Sequence, residues 1–295
     1  MNDWTAPKDD VWTVQRILQW TAEFLQRKGV ESPRLEAELL LAHARNCQRI
    51  HLYTDFETPI QDSERARMRD FVKRRANREP LAYITGQKEF YGRDFAVGTG
   101  VLVPRPETET LVDVCLDHIP AEQATGICEI GCGSGCIAVT LAKQRSSLSV
   151  FATELSRRAV TYAAENVATQ NVEHQVTLYH GDGYAPLPAE QAGQFDGIIS
   201  NPPYIRDDEM LTLSPEIANH EPREALVSGA DGLMLARRLI AESCNWLTVD
   251  GWMAIEVDPA QCDTVAELFR TAGFARTTIH QDLNGDDRVV SAERS

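Results

Sequence analysis

The sequence predicts an α/β fold: a mostly parallel, seven-stranded sheet with helices on both faces, preceded by a small α-helical N-terminal domain and a β-hairpin linker. Three observations carry this. From Thr125 onward, short apolar runs alternate with segments of helical spacing, the pattern of βα units and of a parallel sheet covered on both sides. Residues 1–82 carry helical periodicity instead. Glycines and aromatics crowd residues 83–104, as a short hairpin or an extended connection requires. The chain is therefore expected to divide into a helical domain over 1–82, a linker over 83–104 and an α/β domain over 105–295. At 295 residues it is long for one core and comfortable for two, since single cores stop growing near roughly 250–300 residues.

In chain order, Val14, Ile17, Leu18, Thr21 and Leu25 predict a helix over residues 11–28. Ser32-Pro33 reads as an N-cap followed by proline at the first helical position, opening a second helix through Leu35, Leu39 and Ala42. A third, over about 63–77, buries Met68, Phe71 and Val72 and ends in Lys73, Arg74, Arg75 and Arg78. Two readings of that basic cluster stand: a solvated helix end favoured by the dipole, or a contact for an acidic partner. Beyond Pro80, the residues Phe90, Phe95 and Val97 with Gly86, Gly92, Gly98 and Gly100 mark the linker. Glu107 and Glu109 then stand where a helix to about His118 begins, either complementing its dipole or serving a site. Strands are expected over 125–130, 149–153, 176–180, 195–200, 251–257, 275–280 and 288–292. Helices are expected after Gly135 and over 156–170, 231–247 and about 261–272.

Composition excludes several classes. The chain is 43% hydrophobic and 25% charged, and no apolar run approaches the ~20 residues of a membrane span. Met1-Asn2-Asp3-Trp4 lacks the basic-then-apolar pattern of a signal peptide, so a cytoplasmic address and no membrane partner are expected. Seven cysteines without a C-x-x-C pair point to reduced thiols. Cys128, Cys132 and Cys136 would straddle a strand, a loop and a helix, and no metal site is predicted. A net charge of −15 disfavours a long phosphate-backbone contact, so no nucleic-acid partner is expected.

Three motifs carry chemistry. Glu129-Ile130-Gly131-Cys132-Gly133-Ser134-Gly135 is a glycine-rich first βα turn whose backbone can approach a ligand, with the N–H groups of the next helix pointing at it. Glu154 ends the following strand, where a carboxylate either is solvated or accepts hydrogen bonds from both ribose hydroxyls. Asp182-Gly183-Tyr184 follows the third strand as a simple turn or as the wall of an adenine pocket. Asn201-Pro202-Pro203-Tyr204 ends the fourth strand. Its two prolines fix φ and remove two donors, leaving acceptors and an aromatic face: a strand-capping turn, or a clamp for a planar amino group.

The G-x-G-x-G spacing resembles the first motif of Rossmann-like, class I S-adenosylmethionine-dependent methyltransferases rather than a dinucleotide fingerprint. In that class the glycine loop meets the methionine part of the cofactor, the residues after the third strand meet the adenine, and an Asn-Pro-Pro-Tyr motif marks methylation of a planar nitrogen. The resemblance narrows further. Leu81-Ala82-Tyr83-Ile84-Thr85-Gly86-Gln87-Lys88-Glu89-Phe90-Tyr91-Gly92, Val103-Pro104-Arg105-Pro106-Glu107-Thr108-Glu109, the Asn-Pro-Pro-Tyr-Ile run and Glu221-Pro222-Arg223-Glu224-Ala225-Leu226 are similar to the peptide chain release factor glutamine methyltransferases, along nearly the whole chain. That family implies methylation of the glutamine in the Gly-Gly-Gln loop of class 1 release factors, with S-adenosylmethionine as cofactor; the N-terminal helices are expected to dock the protein substrate.

The resemblance implies cofactor contacts at Gly131, Cys132, Gly133, Ser134, Gly135, Glu154, Asp182, Gly183, Tyr184 and Asn201. It implies substrate contacts at Asn201, Pro202, Pro203, Tyr204, Arg105 and Glu107, with Asn201, Pro202 and Tyr204 carrying catalysis. One departure stands out: Gly183 occupies the place where the family often has a bulky residue, so either Tyr184 fills that space or the pocket is looser. Three rivals remain. A sister family methylates a glutamine of a large-subunit ribosomal protein, a DNA amino-methyltransferase uses the same clamp but needs a basic groove, and a catalytically silent cofactor-binding module would have little reason for a complete clamp.

Overall fold

A computed structural model describes residues 11–294; the reading of Met1 to Trp4 lies outside them. The chain forms two compact units, Met1–Gly86 and Gln87–Ser295. Among the described residues, no helix is long and apolar enough to cross a membrane.

The first unit holds α1 (Val14–Arg27), α2 (Pro33–Arg45), α3 (His51–Thr54), α4 (Asp62–Ala76) and α5 (Leu81–Thr85). Thr13 caps α1, and Val14, Ile17, Leu18, Thr21 and Leu25 are all buried along one stripe. In α2, Pro33 does stand in the first turn, but Ser32 makes no capping bond, and the buried stripe runs through Ala37, Leu40, Leu41 and Ala44. Leu35 is exposed, because the helix turns it away from that stripe. The basic end of α4 fits neither sequence reading as a whole. Arg75 is buried and donates to Glu36 at 2.5 Å, Arg74 donates to Glu79 at 2.6 Å, and Arg78 donates to the Gly29 carbonyl at 2.8 Å. These arginines tie the unit together; Lys73 is the exposed member.

The second unit opens on an antiparallel hairpin, β1 (Gln87–Phe90) and β2 (Arg93–Ala96). Its two turn residues, Tyr91 and Gly92, both take positive φ (52° and 72°), the requirement of a type I′ turn whose twist matches the strands. Phe90 and Phe95 are buried beneath it. There follow α6 (Glu109–His118), β3 (Thr125–Ile130), α7 (Cys136–Gln144), β4 (Leu148–Glu154), α8 (Arg157–Thr169), β5 (Val176–His180), β6 (Phe195–Ser200), α9 (Pro215–His220), α10 (Met234–Ser243), β7 (Leu247–Glu256), α11 (Cys262–Thr271), β8 (Arg276–Gln281) and β9 (Asp287–Glu293).

The seven strands β3 to β9 form one sheet in the order β5-β4-β3-β6-β7-β9-β8. Its first five strands run parallel, and β9 is antiparallel to both β7 and β8. Side chains alternate between two cores: Ile127 packs with α6, α7 and α8 on one face, while Cys128 and Ile130 pack with α10 and α11 on the other. The helix expected over 231–247 is shorter, because Gly232 holds a left-handed φ of 75° and β7 already begins at Leu247. From β3 the chain passes to β4 and β5 on one side, then returns to β6 on the other. The switch point therefore lies between β3 and β6, where a crevice opens beyond the carboxyl ends of the strands.

Candidate active site

At that switch point lies a cleft of about 130 Å³, open to solvent. Its lining includes Gly131 through Ser134, Glu154, Asp182, Gly183, Asn201, Pro202, Pro203 and Arg105, together with Glu129 and Thr108. Gly135, Glu107, Tyr184 and Tyr204 do not line it.

The β3 side is made by the main chain. Gly131 and Cys132 both donate to the Thr153 carbonyl, at 2.8 and 3.0 Å, which pins the turn to the end of β4. Gly135 closes it by donating to the Cys132 carbonyl at 2.7 Å, and a Cβ there would press Ala163 of α8 at 3.3 Å. Glu154 accepts from the Gly133 N–H at 2.8 Å through Oε2 and from the Ser156 N–H at 2.7 Å through Oε1. Each carboxylate oxygen has two lone pairs, so each keeps one acceptor site for a ligand hydroxyl. From α8, the buried Asn166 bonds both polar atoms of Ala96 and the Ser134 carbonyl, joining hairpin, helix and glycine turn. Sequence reading missed Asn166, whose only signal is a carboxamide on the buried stripe of a helix.

Glu129 is the second residue to which sequence reading assigned no separate role. It is 1% exposed and its Oε2 has no hydrogen-bond partner among the described residues. Burial first, and then the Glu154 charge, pushes its carboxyl up to about 8. A lone acidic residue in an apolar strand was the available signal. The cysteines beside it are inert: burial holds the Cys132 thiol well above its ordinary range and Cys136 at about 12, while Cys128 faces the opposite core.

After β5, Asp182 is gripped by Arg238 of α10, with Nη1 on Oδ2 at 2.8 Å and Nη2 on Oδ1 at 2.5 Å. That grip holds the carboxyl below its usual range. Tyr184 does not fill the space beside Gly183. It is buried in the core, donating from its hydroxyl to the Leu239 carbonyl at 3.0 Å and stacking on Trp246. Arg238 fills it instead: a Cβ on Gly183 would stand 3.1 Å from Arg238 Nη2, at a φ of 55° that side chains rarely adopt. A glycine here accommodates an arginine 55 positions later, which sequence order conceals.

The β6 side is made by side chains. Ser200 Oγ donates to the Ile130 carbonyl at 2.8 Å, fixing the end of β6 to the end of β3. Asn201 follows, half-buried, its Nδ2 donating to Thr108 Oγ1 at 3.1 Å. Beyond the prolines, the Tyr204 carbonyl accepts from Gln261 Nε2 at 3.0 Å. Gly232 makes that arrangement possible, since a Cβ there would sit 2.0 Å from the same carbonyl oxygen. Tyr204 is partly buried, and burial chiefly pushes its hydroxyl up to about 12. Arg105 donates to the buried Glu221 at 2.5 Å, and Glu221 also accepts from the Val103 N–H at 3.1 Å. Glu109 accepts from the Tyr91 N–H at 2.8 Å and so serves the hairpin turn.

Known proteins share this chain's sequence and fold. The PrmC N-terminal domain family matches residues 16–86, and the Methyltransferase small domain family matches residues 108–239. A release factor glutamine methyltransferase of Geobacter sulfurreducens is 42% identical over 283 residues, covering 96% of this chain and 97% of its own. One from Bacillus anthracis is 34% identical over 284 residues, covering 95% and 99%. Among solved structures, the hMettl16 catalytic domain in complex with MAT2A 3'UTR hairpin 6 has a TM-score of 0.57 at 17% identity, over 75% of this chain and 81% of that one. A methyltransferase from Pyrococcus furiosus has a TM-score of 0.51 at 18% identity, over 70% and 92%. Those two likenesses establish the fold alone.

Proposed function

The chain belongs to the release factor glutamine methyltransferase family, and from that premise we infer that it transfers a methyl group from S-adenosylmethionine to the side-chain amide nitrogen of the glutamine in the Gly-Gly-Gln motif of class 1 peptide chain release factors. One observation carries the assignment of residues: a single cleft at the switch point is lined both by the glycine turn with Glu154 and by Asn201-Pro202.

The cleft fits the cofactor. Glu154 keeps one acceptor site on each oxygen for the two ribose hydroxyls, and the unpartnered Glu129 oxygen suits a cationic amino group, whose charge would favour the ionised carboxyl. Gly183 and Asp182 are assigned to the adenine side, with the Asp182 carboxylate oriented by Arg238. When bound, S-adenosylmethionine supplies an electrophilic methyl on sulfur.

The protein's task is to make an amide nitrogen nucleophilic. Its lone pair is delocalised into the carbonyl, the resonance that gives a peptide bond a rotation barrier of ~18–20 kcal/mol. Asn201 Oδ1 and the Pro202 carbonyl would accept hydrogen bonds from the two amide N–H groups, aiming the lone pair at the methyl group; as the N–C bond forms and the S–C bond breaks, one amide proton would leave to water. Tyr204, partly exposed but outside the cleft lining, is assigned to stack on the amide plane once the substrate loop enters. Orientation of this kind is worth roughly 7–11 kcal/mol. Arg105 retains donors beyond the one given to Glu221 and is assigned to the incoming loop; Glu107, outside the cleft lining, is left an electrostatic part. The helical unit is the proposed docking element for the release factor.

Transfer of labelled methyl from S-adenosylmethionine to a purified class 1 release factor tests this, with a glutamine-to-alanine change in its Gly-Gly-Gln loop as control. Label is expected on the unchanged factor only. Label that survives the change, or that goes only to ribosomal protein or to DNA, overturns the reading.

A further inference from the structure

Pro104, Pro202, Pro203 and Pro222 all line the cleft, and none has a backbone N–H. A loop of main chain that enters beside them brings carbonyl oxygens, and an acceptor taken out of water without a donor costs binding free energy. Among the described residues that line the cleft, Arg105 carries the one cationic side chain.

Arg105 is held both by its backbone and by its head. It stands between Pro104 and Pro106, and a residue before proline is confined to extended backbone; its φ of −103° and ψ of 143° obey that. Its Nη2 donates to Glu221 Oε1 at 2.5 Å, while Glu221 Oε2 accepts from the Val103 N–H at 3.1 Å. One carboxylate thus grips the guanidinium and the main chain that leads to it. Glu221 follows α9, where its N–H donates to the Ile217 carbonyl at 3.1 Å. The segment after it is tied to the exit of the clamp: the Ile205 N–H donates to the Leu226 carbonyl at 2.9 Å, and the Ser228 N–H to the Ile205 carbonyl at 3.0 Å. Glu221 therefore links the segment that carries Arg105 with the one that carries Asn201-Pro202-Pro203-Tyr204.

Exposure shows which partner serves the other. The Glu221 side chain is 1% exposed and that of Arg105 30%. In the pair Arg75–Glu36 of the helical unit the values are 5% and 15%, so both charges are used inside the fold. In Arg105–Glu221 only the anion is inside, and the cation reaches the cleft with donors to spare. We propose that Glu221 is a positioning residue for the protein substrate: it fixes the Arg105 guanidinium at the cleft so that the remaining donors meet carbonyl oxygens of the loop that carries the glutamine. This rests on the reading of Arg105 as a substrate contact. A guanidinium fixed beforehand loses little rotamer freedom when the loop arrives, and that loss is where a mobile arginine forfeits affinity. Glu221 itself lies outside the cleft lining, and Glu154 is held by bonds of its own, so the cofactor side is independent of it.

The test measures initial rates against the concentration of a purified class 1 release factor at saturating S-adenosylmethionine, and cofactor affinity by calorimetry. Glu221→Gln keeps a carbonyl for the Val103 N–H and removes the charge that holds Arg105. It is expected to raise KM for the release factor about tenfold, with kcat and cofactor affinity within about twofold. Arg105→Lys keeps a charge to pair with Glu221 but loses the planar fork, and a similar rise in KM is expected. The double variant gives what a merely structural role would not: if Glu221 acts through Arg105, adding Glu221→Gln to Arg105→Lys changes KM by no more than about twofold. A wild-type KM in Glu221→Gln, an equal loss of cofactor affinity there, or effects that multiply in the double variant overturns the proposal. If Glu221→Gln does not fold, Glu221→Asp, which keeps the charge and shortens its reach, replaces it and is read the same way. The levels are distinguishable. Absence of label on the release factor with the wild-type enzyme sinks the proposed function; transfer with an unchanged KM in Arg105→Lys sinks the Arg105 contact; a KM raised in Arg105→Lys but not in Glu221→Gln sinks the role of Glu221 alone.

Discussion

On the β3 side of the switch point, Gly133 and Glu154 are joined by a main-chain donor across 21 positions of sequence; on the β6 side, Asn201 is held by Thr108 across 93. The first wall is a βα turn and the next strand end, with backbone N–H groups as its working atoms. The second wall depends on a side chain delivered by the segment before α6, Thr108, and on the loop before α10, where Gly232 leaves room for the Tyr204 carbonyl. Contiguous backbone tolerates side-chain change and forbids change in glycine. A side-chain contact does the reverse, so the two walls should fail differently under mutation.

The sharpest form of that contrast pairs Asn201→Ala with Glu154→Ala. Loss of the positioned acceptor is expected to reduce kcat by about 10²–10³-fold while cofactor affinity stays within about twofold, judged from single donors removed from preorganised sites. Loss of the ribose acceptor is expected to weaken cofactor binding by about 10- to 100-fold, as hydrogen bonds to a charged group are worth about 1.5–3 kcal/mol, with kcat at saturation nearly intact. Calorimetry and saturating kinetics on both variants check this. If both lose affinity and turnover together, the walls are one coupled unit and the division is wrong.

Legibility followed the same division. The glycine turn, Glu154 and every strand of the sheet could be read because their determinants lie within a turn or a strand length of one another. The place of Asn201 at the cleft was legible too, since two prolines end the strand there. What supports Asn201 was not. Thr108, which accepts from Asn201, sits inside a motif conspicuous for its charged residues. Tyr184 was misplaced for a related reason: in an irregular loop nothing periodic says which face a ring takes, and the buried seat against Trp246 is supplied by the segment before β7. Leu35 failed by helical phase, where one position along α2 moves a side chain by about 100°.

Gly232 tests whether the β6 wall also has a main-chain requirement. A Cβ there would stand 2.0 Å from the Tyr204 carbonyl oxygen, on a residue with φ of 75°, so Gly232→Ala forces the peptide after the clamp to move. Strain of about 1–3 kcal/mol follows, equivalent to a melting temperature lower by roughly 2–10 °C in a unit of this size. Turnover is expected to fall about tenfold while cofactor affinity holds, because the displaced carbonyl adjoins Asn201-Pro202-Pro203 and not the glycine turn. An unchanged melting curve with wild-type kcat would show that the clamp does not depend on the main chain beside Gly232.

The smallest effect is expected at Arg238, and it bears on a place where the cofactor wall does use a distant side chain. Both partners of the Asp182–Arg238 pair are substantially exposed, so the pair itself is worth about 0–1 kcal/mol and is screened by salt. Its larger consequence is orientation. Bidentate contact leaves each Asp182 oxygen a second lone pair while holding the carboxylate still, so a ligand amine meets a fixed acceptor. Arg238→Ala is therefore expected to weaken cofactor affinity by only about two- to threefold, whereas Asp182→Ala, which removes the acceptor, should weaken it by about tenfold. Calorimetry at low and high salt distinguishes them: raising salt should mimic part of the arginine change and none of the aspartate change. Equal losses in the two variants would mean that Arg238 touches the cofactor directly, and the β3 wall would then share the dependence on remote side chains that defines the β6 wall.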